Sequence, residues 1–124
     1  MTKYKEIFKL KELLENTSIP FDFIEGWGYN AEETAELKKI CPDLIDRYQI
    51  CYPVFAEPYR KISVIEGFGT YGSEEDKLEV MGLLTPEESE RDVVVGWLTA
   101  EEVFNRIKDD WEMKNNTQGG ISNE

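Results

Sequence analysis

"SVIEGFGTYGSEEDKLEVMGLL", residues 63–84, decides between two folds for this chain. Gly67, Gly69 and Gly72 match the pattern G-x-G-x-x-G, and a strand-like apolar run precedes them. In dinucleotide-binding proteins this pattern leads from a strand through a phosphate-binding loop into a crossover helix. The alternative is a glycine-rich hairpin that joins two antiparallel strands. The residues that follow Gly72 distinguish the two.

Those residues favour the hairpin. A dinucleotide loop places its third glycine at a helix N-terminus, whose free N–H groups hold the pyrophosphate. Here Gly72 is followed by three carboxylates within residues 74–76, and each would repel a phosphate about 4 Å away by roughly 4 kcal/mol at an effective dielectric near 20. The acid expected about 20 residues further on is Asp92, which opens its apolar run instead of ending it. A kinase-type glycine loop lacks its V-A-I-K strand. The glycines therefore predict a bulge or a positive φ, with Phe68 and Tyr71 covering the core edge.

Helices and strands are predicted on both sides of this hairpin. Helical spacing of apolar residues marks residues 3–15, where Thr2 is the expected cap. Residues 30–40 form a short helix or turn that begins with a capping box of Asn30 and Glu33, and a second box starts the last helix at Thr99 and Glu102. A short helical turn is predicted at "TPEESE", with Thr85 and Glu88 as its capping box and Pro86 at its first position. Five segments are predicted to be extended: "PFDFIEGWGYN", "DRYQICYPVF", "KISVIEGF", "KLEVMGLL" and "DVVVGWL".

The predicted fold class is α+β, with a small antiparallel sheet of four to five strands packed by N-terminal and C-terminal helices. Residues 1–114 are expected to form one domain, and the polar, glycine-rich residues 115–124 a disordered tail. In the second strand Tyr48, Ile50 and Tyr52 share a face. On the last helix Phe104 and Ile107 are predicted to be buried.

Composition and charge exclude several functions. The net charge is −12, from 26 acidic and 14 basic residues, which argues against direct binding of nucleic acid or of an anionic membrane surface. The chain has no histidine, so histidine-based nucleophile systems and imidazole zinc sites are excluded. No apolar run reaches the length of a membrane helix. We expect a cytoplasmic protein with reduced Cys41 and Cys51.

Four segments of the chain form a pattern found in other proteins: "LLENTSIPFDF", "YQICYP", "ISVIEGFGTYGSEEDKLEVMGLLTPEE" and "DVVVGWLTAEEVFNRI". Through them, roughly residues 10–111 resemble a group of small proteins encoded in phages and prophages of Firmicutes. The resemblance implies a phage or prophage origin, and it assigns no role to any residue.

The first functional hypothesis is a phage-encoded, non-enzymatic acidic binding protein. It would act in the bacterial host cytoplasm by occupying a surface of a host or defence protein, since electrostatic complementarity speeds and orients association. A structural accessory role in the phage is an alternative. The sequence leaves open whether the chain also associates with copies of itself.

The second hypothesis is a binder, or sponge, for a small ligand such as a signalling nucleotide. Aromatic residues near glycines in turn-like segments can stack on bases, and Arg47, Arg60 and Lys61 could meet phosphates. The candidate residues for contact with a ligand or a partner are Trp27, Tyr29, Arg60, Phe68, Tyr71 and Trp97.

An enzyme is the third hypothesis, and the sequence disfavours it. Adjacent carboxylates can perform acid–base chemistry or bind Mg²⁺. In this chain they fall in first helical turns or on solvated faces, where capping explains them. No catalytic residue, cofactor or metal site is therefore predicted. The acidic runs are Glu32-Glu33, Glu74-Glu75-Asp76, Glu87-Glu88, Glu101-Glu102 and Asp109-Asp110.

Overall fold

The computed structural model describes residues 4–26, 30–42, 46–67, 69–91 and 93–123, with side chains as far as residue 114. Five antiparallel strands form one sheet in the order of the chain. The strands are β1 (Asp22–Glu25), β2 (Arg47–Tyr52), β3 (Ile62–Gly67), β4 (Leu78–Gly82) and β5 (Val95–Leu98). The helices are α1 (Glu6–Asn16), α2 (Ala31–Ile40), α3 (Pro86–Arg91) and α4 (Ala100–Asn123). The α+β prediction is confirmed, with five strands.

The segment that decides the fold is a hairpin. β3 pairs antiparallel with β4, with Val64 opposite Val80. The connection contains one 3₁₀ turn, Ser73–Glu75, instead of a crossover helix. The ambiguous run "KLEVMGLL" is a strand, as the sequence predicts, and its β-branched Val80 is buried. Because each strand pairs with the next strand in sequence, the sheet is a meander, with α2 in the β1–β2 connection and α3 in the β4–β5 connection.

One face of the sheet carries the hydrophobic core. α1 and α4 contact each other and bury Ile7, Leu10 and Ile107 among others. Strand alternation directs Ile50 and Tyr52 towards these helices. The half-buried Tyr48 packs against the same core, so the predicted face of β2 is confirmed.

The last helix differs from the prediction in two respects. Ile107 is fully buried, but Phe104 is only half-buried, and Val103 takes the second buried position. α4 also continues to Asn123, beyond the predicted start of the tail. An established helix extends at little cost per residue, and no proline interrupts this stretch. Disorder of residues 115–124 in solution stays a prediction.

All three predicted capping boxes are present. The side chains of Asn30, Thr85 and Thr99 each accept a hydrogen bond from a backbone N–H three residues on. The glutamate at that third position accepts one in return in each case. These contacts satisfy helix N–H groups that have no partner within the helix. The predicted start of α1 is wrong, because the helix begins at Glu6 with Lys5 at the N-cap position, where Thr2 was expected to cap it. Thr2 itself lies outside the described residues.

Candidate functional site

The β3–β4 connection packs against the edge strand β5, and two glycines permit the close approach. A Cβ on Gly72 would lie 2.9 Å from the backbone nitrogen of Trp97, and Gly72 has a φ of +98°. A Cβ on Gly96 would lie 2.3 Å from the Cβ of Tyr71. The Trp97 N–H donates to the Tyr71 carbonyl across 3.4 Å. The glycine pattern therefore serves a hairpin fold, and it allows one connection to cross β5.

The crossing brings two aromatic side chains together at the surface. The rings of Tyr71 and Trp97 stack with their centroids 5.7 Å apart and their planes 11° from parallel. Both remain open to solvent, with exposed fractions of 51% and 56%. The prediction that Tyr71 covers the core edge is wrong, because the ring packs against Trp97 instead of the helices.

Trp97 has an unusual backbone conformation. Its φ is +60°, in the left-handed region that bulky residues rarely adopt. Such a conformation costs an L-residue roughly 1–2 kcal/mol. The stack with Tyr71 and the hydrogen bond to its carbonyl hold the residue in place. Strained, exposed aromatic residues of this kind motivate a functional hypothesis.

The stacked pair lies at a cavity of about 810 Å³. Residues 69–76 supply most of its wall, and Tyr4 and Trp97 complete it. Glu74 and Glu75 are exposed there, and neither side chain forms a hydrogen bond or ion pair with another described residue. Among the described residues that line the cavity, none is a lysine or an arginine. The cavity therefore combines flat aromatic surface with negative charge.

Two carboxyl groups, the buried Glu66 and the half-buried Asp76, connect the wall of this cavity to α1. Glu66, on β3, is fully buried, and its Oε1 accepts from the Ile7 N–H at 3.1 Å. Asp76 lines the cavity, and its Oδ1 accepts from the N–H groups of Lys5, at 2.8 Å, and Glu6, at 3.1 Å. Both carboxyls therefore cap the N-terminus of α1, which has no side-chain cap of its own.

The two carboxyls share a proton. Burial, together with a hydrogen bond to Asp76, raises the pKa of Glu66 to about 9. The hydrogen bond from Glu66 and the two backbone N–H groups outweigh burial and lower the pKa of Asp76. Glu66 Oε2 is buried and has no donor among the described groups. A proton on that oxygen turns an acceptor without a donor into a hydroxyl group that can donate to Asp76.

Shifted pKa values are frequent at catalytic sites, but the partners here point to a structural role. Each carboxyl binds backbone N–H groups of α1, and the Glu66 side chain has no contact with solvent. The pair therefore fixes the β3–β4 connection to α1. Glu6 extends the linkage, since its Oε1 accepts from the Ala100 N–H at 2.8 Å, at the start of α4.

The structure brings together two of the six predicted contact residues. Tyr71 and Trp97 share the cavity. Arg60 precedes β3 whereas Tyr71 follows it, so the two lie at opposite ends of that strand. Arg60 pairs with Glu57 and lies over the ring of Phe55. Trp27, Tyr29 and Phe68 lie outside the described residues.

The predicted phosphate contacts do not converge on the aromatic pair. Arg47 donates to the Gly26 carbonyl at 3.1 Å. Lys61 pairs with Asp110 of α4 at 2.8 Å. None of the three basic residues proposed from the sequence lines the cavity, because all three lie in or next to β2 and the β2–β3 connection.

Sequence reasoning did not single out the pair of Glu66 with Asp76. One signal was available, since Ile62, Val64 and Glu66 alternate along one strand and must share a face. A carboxyl at the third inward position of an apolar strand requires a partner. The sequence contains no equivalent signal for Asp76 as that partner.

Comparisons of the chain with known protein families, with curated proteins and with solved structures found no match in any of the three. No helix in the described part of the chain is long and apolar enough to cross a membrane. Within the same residues, no group of three or more cysteine, aspartate or glutamate side chains is arranged to hold a metal ion.

Proposed function

We propose that the chain is a phage-encoded, non-enzymatic acidic binding protein that occupies a basic surface of a host or defence protein in the bacterial cytoplasm. The observation that carries the proposal is the exposed Tyr71–Trp97 stack at a cavity walled by unpaired carboxylates. A few residues supply most of the binding energy at protein interfaces, and tryptophan and tyrosine are enriched among them. The carboxylates add attraction for a basic partner.

The two glutamates at the cavity are available to a partner. Several other acidic residues are already committed to internal ion pairs, as in the bidentate contact of Glu88 with Arg106, where Oε1 and Oε2 lie 2.7 and 2.8 Å from the guanidinium nitrogens. At the cavity Glu74 and Glu75 have no such neighbour. A partner can therefore pair with them without first breaking an internal contact.

A small-ligand binder is the second candidate, and the size of the cavity favours it. Ligand pockets commonly enclose about 300–1,000 Å³ and have aromatic walls. The negative charge of the cavity wall disfavours a nucleotide, because Glu74 and Glu75 would repel its phosphate groups. A thermal-shift panel of nucleotides distinguishes the two candidates, since a bound ligand stabilises the fold by mass action. We expect no shift.

Affinity capture from host cytoplasm tests the first candidate. The variant is Trp97→Gly, because glycine removes the ring and adopts a φ of +60° without strain. The matched control is Tyr59→Ala, which removes an exposed ring from the β2–β3 connection. We expect the wild-type chain and Tyr59→Ala to retain the same protein, and Trp97→Gly to lose it. Retention of that protein by Trp97→Gly would place the interface elsewhere.

A further inference from the structure

The stacked aromatic pair presents flat surface rather than a cage. With planes only 11° apart, Tyr71 and Trp97 are near-parallel, so they do not form the walls at several angles that enclose a quaternary ammonium group. A near-parallel pair instead offers its outer face to a planar group. A guanidinium is planar, is weakly hydrated and stacks on aromatic faces.

The cavity that holds the two rings also contains carboxylate acceptors. Glu74 and Glu75 line the same cavity as the two rings and are exposed. A guanidinium that stacks on a ring keeps its five N–H donors in its own plane, where they can reach carboxylates at the rim. A lysine ammonium offers a compact, strongly hydrated charge without a flat face.

Hydrogen bonds to the backbone hold the residues around the cavity in place. Asp76 is held by two backbone N–H groups of α1, and Glu79 Oε1 accepts from the Tyr71 N–H at 2.8 Å. The Trp97 backbone is tied to the Tyr71 carbonyl. Rings that are already held in position lose less conformational entropy when they bind. The site therefore suits one specific side chain of a partner better than a general attraction between charges.

From these observations we infer that the cavity binds an arginine side chain of the protein partner, stacked on the Tyr71–Trp97 pair and paired with Glu74 and Glu75. This inference rests on the proposed function and specifies its anchor. A phosphate-bearing ligand would meet the same carboxylates with the wrong sign of charge.

Three short peptides of one sequence test the inference, with arginine, lysine or citrulline at the single variable position and with both termini blocked. Citrulline keeps the shape of arginine without its charge. Each is titrated into isotope-labelled full-length chain, and NMR follows the amides of residues 70–76 and the indole N–H of Trp97. We expect the arginine peptide to shift these signals with a Kd about tenfold lower than the Kd of either other peptide, since bidentate charge-assisted pairs are the stronger ones.

Matched variants locate the binding. Trp97→Gly and the double variant Glu74→Gln/Glu75→Gln should each weaken arginine-peptide binding by about tenfold or more. The double variant changes two exposed side chains only, so it should fold even if Trp97→Gly does not. Tyr59→Ala and Glu12→Gln, which change an exposed ring and an exposed acid elsewhere, should leave binding unchanged.

Several results would overturn the inference. Lysine or citrulline binding as tightly as arginine would do so, as would arginine binding that survives the Glu74→Gln/Glu75→Gln change. If a host protein is captured through Trp97 while the three peptides bind alike, the arginine anchor fails and the proposed function stands. Arginine binding without any Trp97-dependent capture contradicts the proposed function and, with it, an arginine supplied by a protein partner.

Discussion

At the scale of the residue, Glu66 has the most altered chemistry. A glutamate ordinarily ionises near pH 4.5, and burial behind Asp76 raises the Glu66 pKa to about 9. At neutral pH the folded chain therefore holds a proton that the unfolded chain has released. The neutral carboxyl both accepts from the Ile7 N–H and donates to Asp76. A glutamine could make the same two hydrogen bonds without binding a proton.

The sign of the pH dependence follows from this difference. Because the folded-state pKa lies above the unfolded value, the stabilising contribution is complete below about pH 4.5 and is lost as pH rises towards 9. We expect Glu66→Gln to gain stability relative to wild type by up to about 1.4 kcal/mol for each pH unit in this window. Denaturant unfolding from pH 5 to pH 9 measures the difference.

Glu12→Gln is the control for Glu66→Gln. It changes an exposed carboxylate on α1, and its unfolding curve should run parallel to the wild-type curve across the same pH range. A Glu66→Gln curve that also runs parallel to wild type would mean that Glu66 is ionised in the folded chain at neutral pH. That result would contradict the shared proton and leave Glu66 Oε2 without a partner.

At the scale of the element, α4 is held to the rest of the fold by different forces on its different faces. Val103 and Ile107 are buried in the core. Arg106 donates to Glu88 at the N-terminus of α3, and this contact with the guanidinium lowers the pKa of Glu88 to about 2. Lys61, which directly precedes β3, pairs with Asp110. The helix is therefore positioned by apolar packing on one side and by ion pairs towards its neighbours.

Core packing should dominate the stability of α4. We expect Ile107→Ala to lower the free energy of unfolding by about 2–5 kcal/mol, since it leaves a cavity where the side chain is fully buried. Phe104→Ala should cost less than the roughly 3–5 kcal/mol typical of a buried phenylalanine, because Phe104 is half-buried. Asn105→Ala, on the exposed face, should change stability by less than about 0.5 kcal/mol. Chemical denaturation that reversed the order of Ile107 and Phe104 would contradict the packing of this helix.

At the scale of the whole molecule, we expect the acidic charge to govern the approach of the proposed partner. A net charge of −12 creates a long-range field, whereas the Tyr71–Trp97 pair acts only on contact. The field should therefore govern the rate of association, and the aromatic contact should govern dissociation. The two effects can be separated with salt.

We expect the association rate with the captured protein to fall steeply as salt rises, because the Debye length shortens from about 10 Å at 0.1 M to about 3 Å at 1 M. The dissociation rate should change much less. Surface plasmon resonance over a salt series measures both rates. For the Trp97→Gly variant we expect faster dissociation than for the wild-type chain. Its association rate should depend on salt as the wild-type rate does. An association rate independent of salt would show that the charge has no part in recognition.

The sequence by itself determined the type and order of the elements. Capping boxes at Asn30, Thr85 and Thr99 depend on residues three apart, and strand alternation depends on the nearest neighbours, so both can be read locally. The carboxylates after Gly72 likewise excluded a phosphate loop by charge alone. The antiparallel sheet was predicted from these local features, because strands that follow one another in sequence usually pair or lie side by side.

Only the tertiary structure decided which distant residues meet. Tyr71 and Trp97 stack because Gly72 and Gly96 let one connection cross an edge strand, and no local pattern encodes that crossing. Arg60 is separated from this pair by the length of β3, which sequence proximity to other candidates does not reveal. Glu66 keeps its proton because the fold buries it and places Asp76 beside it. Burial and the approach of charges depend on the packed chain, and a pKa or a binding surface is therefore a property of the fold.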